Sequence, residues 1–175
     1  RMMVALSKRE GYPIIHTVRR PEQAELLYSL GAEHVLDSST PSFEEDLAAK
    51  ARELGATIAF DAIAGESPAQ LLAAMPPRSK VLVYGVLAGV REMPMDLGPV
   101  LSNASGVEGF YLVHWMEQAG PLRLLLAARK VQRLFADGTF KTQIARRVSL
   151  EDAIAGIEAY MDDMTGGKTL LVPNG

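Results

Sequence analysis

Apolar residues in this chain come in short runs separated by longer amphipathic stretches, and the two alternate from Gly11 to the C-terminus. Short apolar runs bounded by glycine or proline predict strands, and apolar positions recurring every three or four residues predict helices. The expected strands are 13–18, 34–37, 57–62, 80–84, 107–111 and 168–172, with 57–62 (TIAFDA) buried. The expected helices are 1–10, 21–30 with its stop at Gly31, and 43–54 ending at Gly55. Three more follow: 68–75, stopped by Pro76 and Pro77; 121–137, capped by Gly138; and 150–161, with Ser149 as N-cap and Asp152 adding negative charge to the first turn. Residues 88–99 are expected as a Gly/Pro-rich loop. No repeat or linker divides the chain, so it is expected to form one domain, 1–175, with a helix–strand tail.

Strands alternating with covering helices define an α/β architecture with parallel strands. In an open parallel sheet the ligand lies beyond the carboxyl ends of the strands, so the residues just after each strand are the candidates for chemistry. After the first strand stand Arg19 and Arg20, two guanidinium groups suited to pairing a phosphate through parallel charged hydrogen bonds, where a carboxylate would instead accept from a ribose hydroxyl. Without a fold context they read as a solvated turn; at the tip of this strand they favour NADP(H) over NAD(H). The turn 62–65, with Ile63 and Ala64, and the turn Tyr84, Gly85, Val86, Leu87 follow two adjacent strands. Their small residues are expected to let backbone approach a planar ligand with peptide groups free to bond it. Phe110, Tyr111 and Leu112, at the end of the next strand, offer apolar and backbone contacts to a nicotinamide ring, with an ordinary core role for Phe110 as the competing view. Lys168, behind Gly166 and Gly167, is placed to bond a cofactor phosphate or ribose unless it is a plain surface lysine. His114 and Trp115 are candidates for a substrate channel and receive no catalytic role. The acid pairs Glu44–Glu45 and Asp162–Asp163 read as solvated faces.

Composition narrows the partners. The chain has 175 residues, a net charge of −3 and 22% charged residues, and no long basic stretch, which disfavours nucleic acid or an anionic membrane as partner. Its longest apolar runs, such as 122–128, fall short of the roughly 20 residues of a membrane span. With no cysteine and three histidines, His16, His34 and His114, no metal-ligand spacing is present, and a cytoplasmic location is expected. Residues 1–11 are interrupted by polar side chains and do not read as a signal peptide.

The strings 29–36 (SLGAEHVL), 60–65 (FDAIAG), 84–87 (YGVL) and 166–172 (GGKTLLV), in this order, resemble the cofactor half of the medium-chain dehydrogenase/reductase superfamily over nearly the whole chain. Residues 109–115 (GFYLVHW) look like the corresponding segment of the trans-2-enoyl-thioester reductases, while quinone oxidoreductases and zinc-type alcohol dehydrogenases share the rest of the scaffold. The resemblance implies a Rossmann-like doubly wound parallel sheet. On this resemblance the first, central strand and the glycine-rich turn that the family places ahead of such a helix are expected to be missing from the chain, as is the N-terminal domain that carries the family's catalytic groups. It implies the 2′-phosphate of NADP(H) on Arg19 and Arg20, the nicotinamide side on 84–87 and 110–112, and a further contact at Lys168. The arginine segment is one residue shorter than in the reductases. The implied activity is hydride transfer from NADPH to a small-molecule conjugated carbonyl acceptor, with no catalytic or metal-binding residue in this chain and little activity from it alone. A homodimer through the strand 107–111 is also implied. The alternatives are a non-catalytic dimerisation module and the cofactor domain of a zinc-dependent alcohol dehydrogenase.

Overall fold

The structure is a computed structural model that describes residues 1–162 and 165–173. Asp163, one of the expected solvated acids, lies outside the described residues. Helix α1 (Met2–Glu10) leads into β1 (Ile15–Val18), α2 (Pro21–Ser29), β2 (His34–Asp37), α3 (Phe43–Glu53), β3 (Ile58–Asp61), α4 (Ser67–Ala74) and β4 (Lys80–Val83). Then come α5 (Gly98–Asn103), β5 (Gly106–Gly109), α6 (Leu112–Ala136), β6 (Ile144–Ser149), α7 (Ala153–Asp162) and β7 (Lys168–Val172). The order is α/β and every strand pair is parallel. Proline at the first turn of α2 and α4 matches its fixed φ and missing N–H. Gly31 (φ +86°) and Gly55 (φ +62°) follow α2 and α3 in the left-handed region, where the sequence puts the stops.

The strands form three pieces: β1 with β2, β3–β4–β5, and β6 with β7. Among the described residues β1 and β3 are not paired to each other. Helices α3 and α4 join the first two pieces. Phe43, Leu47 and Ala74 pack with Ile15 and Leu36 of the first, while Leu72, Met75 and Val81 pack with Ala59 and Val107 of the second. Leu71 touches both clusters, and Val81 is fully buried.

Several expectations are corrected. The strand 57–62 is covered on one face only: Asp61 is buried, whereas Ile58 and Phe60 on the opposite face are 58% and 60% exposed. The period-two alternation of a strand sends neighbouring side chains to opposite faces, and only one face here meets helices. Strand β5 is Gly106–Gly109, so Phe110 and Tyr111 lie beyond it and Leu112 opens a helix. That helix, α6, starts nine residues before the expected Pro121, because two helical segments run together across a break at Gly120 (φ 69°, ψ 161°). A short helix, α5, begins within the expected loop. The tail is a β–α–β unit, since 144–149 (IARRVS) is a strand that its two arginines conceal from an apolar-run criterion. Helix α7 starts at Ala153 and not at 150, so Ser149 is not its N-cap and Asp152 precedes its first turn; the Ser149 hydroxyl instead accepts from the Asp152 N–H (3.2 Å) in the turn ahead of the helix. The accessible surface is 12132 Å², against about 8,300 Å² for a compact chain of this mass. Leu122 and Leu126 of α6, like Ile58 and Phe60, are exposed.

Candidate functional site

Parallel pairing puts the carboxyl ends of β1 to β5 at turns that the sequence fills with small or charged residues. Thr17 and Arg19 at the end of β1, Ser38 after β2, residues 63–67 after β3 and alternate residues of 88–94 after β4 line one cleft of about 530 Å³. Phe43, Gln70 and Leu71 complete its wall from α3 and α4.

The turn after β3 is fixed by Asp61, a residue the sequence reading passed over. Its carboxylate is 3% exposed. Oδ1 accepts the N–H groups of Ile63 (2.9 Å) and Ala64 (2.7 Å), and Oδ2 accepts the Ser67 hydroxyl (2.5 Å). This clamp corrects the expectation that the turn leaves those peptide N–H groups free: the carboxylate consumes both. It also holds Ala64 at φ +64°, a conformation an L-residue adopts at a cost of roughly 1–2 kcal/mol. The recoverable signal was an acid at a strand end directly before a run of small residues, the pattern of a side chain capping its own turn.

The turn after β4 lies against this one. Tyr84 N–H donates to the Asp61 carbonyl (2.8 Å), Leu87 N–H to that of Ala62 (3.0 Å) and Ala88 N–H to that of Ile63 (3.0 Å). A Cβ on Gly85 would come within 2.8 Å of the Ala62 carbonyl oxygen, so glycine there is a steric requirement. Phe110 N–H donates to the Val83 carbonyl (2.8 Å), which carries the rim on to the third strand of the sheet. Tyr84, Val86, Leu87, Phe110, Tyr111 and Leu112 are all exposed, so Phe110 is not an ordinary core aromatic.

The two arginines separate. Arg19 lines the cleft and Arg20, the N-cap residue of α2, does not. Among the described residues neither guanidinium has an ion-pair or hydrogen-bond partner; the Arg19 main-chain N–H donates to Gln23 Oε1 (3.1 Å). Ile63 and Ala64 line the cleft with Arg19, whereas 84–87 and 110–112 stand on the adjoining rim. Lys168 does not line the cleft. Its ammonium sits 3.5 Å from the Tyr160 hydroxyl and 5.9 Å from that ring's centroid. His114 bonds Gln118 (2.8 Å) one helical turn on and lies 3.6 Å from Glu117, both solvent-exposed contacts.

The cleft lining is mixed, with Phe43, Ile63, Leu71 and Val90 beside the acidic Glu66 and Glu92; its uncommitted guanidinium and the steric requirement for glycine on the adjoining rim fit a phosphorylated planar ligand. Among the described residues no helix is long and apolar enough to cross a membrane.

Comparison with known proteins agrees. The chain is 31% identical over 176 residues to a probable acrylyl-CoA reductase of Escherichia coli (strain K12), covering 98% of this chain and 50% of that protein. It is 25% identical over 179 residues to a 2-haloacrylate reductase of Burkholderia sp, covering 98% and 51%. The crystal structure of a putative NADPH:quinone reductase from Mesorhizobium loti superposes with a TM-score of 0.85 at 32% identity, over 98% of this chain and 49% of that one. The chain thus spans about half the length of the curated relatives it matches. A family model described as zinc-binding dehydrogenase matches residues 1–127. The metal in that description finds no donor set here: the sequence has no cysteine, and among the described residues no three His, Asp or Glu side chains converge to hold an ion. With the family model covering most of its length, the chain belongs to the zinc-binding dehydrogenase family.

Proposed function

We propose that this chain is the cofactor-binding portion of an NADPH-dependent reductase that delivers hydride to a conjugated carbonyl acceptor, an enoyl thioester or a quinone. The observation that carries this reading is the unpaired Arg19 guanidinium in a cleft at the carboxyl ends of parallel strands. A 2′-phosphate there gains charged hydrogen bonds without displacing an existing partner. Arg20, on the same turn, adds a second cation. Ile63 and Ala64 receive the adenosine by van der Waals contact, since their N–H groups are committed to Asp61. Tyr84, Gly85, Val86 and Leu87 form the nicotinamide side, completed by Phe110, Tyr111 and Leu112. Lys168 is a further cofactor contact once it leaves Tyr160.

When bound, the reduced nicotinamide supplies the hydride; this chain contributes position and electrostatics. In an enoyl thioester the hydride adds at Cβ and a proton at Cα, which saturates the double bond. The names of the relatives, reductases of acrylyl-CoA, 2-haloacrylate and quinone, support an electron-poor conjugated acceptor.

A homodimer through β5 and a cytoplasmic location complete the proposal. Strand β5 pairs with β4 on one side and with no strand on the other among the described residues, an open edge that a second copy satisfies by main-chain hydrogen bonds. With no cysteine the chain needs no oxidising compartment to form disulfides, which is compatible with the proposed location.

The test is titration of the chain with NADPH and NADH. Tighter binding of NADPH, lost on Arg19→Ala while NADH binding is unchanged, is the expected result. Equal binding of the two, indifferent to Arg19, overturns the reading.

A further inference from the structure

Arg19 lines the cleft and Arg20 does not, although both follow the same strand end. Arg20 is extended (φ −144°, ψ 142°), the conformation that a following proline favours, and Pro21 follows it. Along extended chain consecutive side chains leave on opposite sides, so the two guanidinium groups diverge. No side-chain contact among the described residues holds either guanidinium, and which of them enters the cleft is therefore decided by the main chain at the Val18–Arg19 peptide.

That peptide is pinned at both ends. On the strand side the Val18 carbonyl accepts the Ser38 N–H (2.7 Å) and the Ser38 hydroxyl (3.0 Å). On the helix side the Arg19 N–H donates to Gln23 Oε1 (3.1 Å), while the Gln23 N–H donates to the Arg20 carbonyl (3.0 Å). With Arg20 as N-cap and Pro21 first in α2, Gln23 is the third helical residue. A glutamine there ordinarily reaches back to the N-cap N–H and completes the helix end. Here it reaches one residue further. Arg19 precedes the cap, so its N–H is not among the donors that a helix end leaves open, and the bond holds the cleft-lining residue in place of the helix.

We propose that Gln23 is a positioning residue for the cofactor's 2′-phosphate: through the Arg19 main-chain N–H it commits Arg19, and not Arg20, to the cleft. The inference rests on the proposed function and deepens it, because it puts part of the preference for NADPH over NADH in a residue that does not line the cleft. Without Oε1 the peptide keeps only the Ser38 bonds to its carbonyl. The Arg19 side chain must then be ordered when the phosphate arrives, a cost that the pinned turn removes in advance. The rest of the nucleotide is untouched, so NADH does not register the change.

The experiment is a double-mutant cycle on the full chain: NADPH and NADH are titrated by fluorescence into the unsubstituted chain, Arg19→Ala, Gln23→Met and the double variant. Methionine matches glutamine in length and helix propensity and lacks the acceptor. We expect Gln23→Met to weaken NADPH about threefold or more, the usual contribution of one neutral hydrogen bond, with NADH unchanged. On the Arg19→Ala background the same substitution should have no further effect. If Gln23 touches the phosphate itself, NADPH weakens on both backgrounds; if it only caps α2, the two cofactors respond alike. Either result overturns the positioning and leaves the cofactor reading standing. Arg19→Ala binding NADPH as tightly as the unsubstituted chain overturns the cofactor reading and the positioning with it. A urea melt checks that each variant folds, and Gln23→Ala, which also lacks the acceptor, repeats the cycle if the methionine variant does not.

Discussion

Gly85 and Ala62 meet backbone to backbone, so close that a Cβ on the glycine would stand 2.8 Å from the Ala62 carbonyl oxygen and 3.3 Å from its Cα. That carbonyl also accepts the Leu87 N–H (3.0 Å), so the turns after β3 and β4 are joined where the rim must keep its shape. Gly85→Ala cannot be absorbed by a side-chain rotation, because the atoms met are main chain. We expect a loss of about 1–3 kcal/mol, the usual cost of overpacking. A urea melt should show a lower midpoint at unchanged slope. NADPH binding should weaken in the same variant.

The clamp from Asp61 to Ile63, Ala64 and Ser67 makes a second prediction. Asp61→Ala removes the acceptor of three part-buried donors, at about 1 kcal/mol each, and releases Ala64 from its left-handed conformation. Asp61→Asn keeps an Oδ1 that accepts both N–H groups and should cost clearly less. Equal losses for the two substitutions, measured by denaturant unfolding, would show that the carboxamide cannot hold the turn.

Arg19 and Arg20 are adjacent in sequence and differ in place, one in the cleft and one at the head of α2. Arg19→Ala is expected to reduce NADPH affinity by roughly tenfold or more, the worth of a charge-assisted hydrogen bond, and Arg20→Ala by clearly less. Fluorescence titration of both variants decides the order; the reverse order would place the phosphate on the helix cap.

Asp137 accepts from Arg9 Nη1 and from the Thr139 N–H (3.0 Å) and hydroxyl (2.7 Å), and Arg9 also donates to that hydroxyl (2.7 Å). The hydrogen bond from Arg9, reinforced by those from Thr139, lowers its pKa from 3.8 to about 2. Because the folded-state value lies below the unfolded one, the contribution is fully present above the unfolded pKa of 3.8 and is lost as pH falls toward about 2. The urea midpoint should therefore drop across that window, and Asp137→Asn should flatten the drop. The site is exposed, so added salt should shrink the effect.

The sequence by itself determined the order of the elements other than α5 and β6, and the strand ends at which the candidate residues lie. Apolar runs, prolines at helix starts and glycines at helix stops act through neighbours a few residues away, which is why β2, β7 and the stops at Gly31 and Gly55 were legible. The edges of β5 and α6 were not, because Phe110 and Tyr111 suit a strand locally and only the length of the pairing with β4 ends it at Gly109. Strand β6 was hidden for the converse reason: two exposed arginines break its apolar pattern, and its pairing with β7 alone makes it a strand. Tertiary structure also separated Arg19 from Arg20, buried the Asp61 carboxylate against Ile63 and Ala64, and left Ile58 and Phe60 uncovered. Each of these depends on which distant segment lies alongside, a quantity that period and propensity along the chain do not contain.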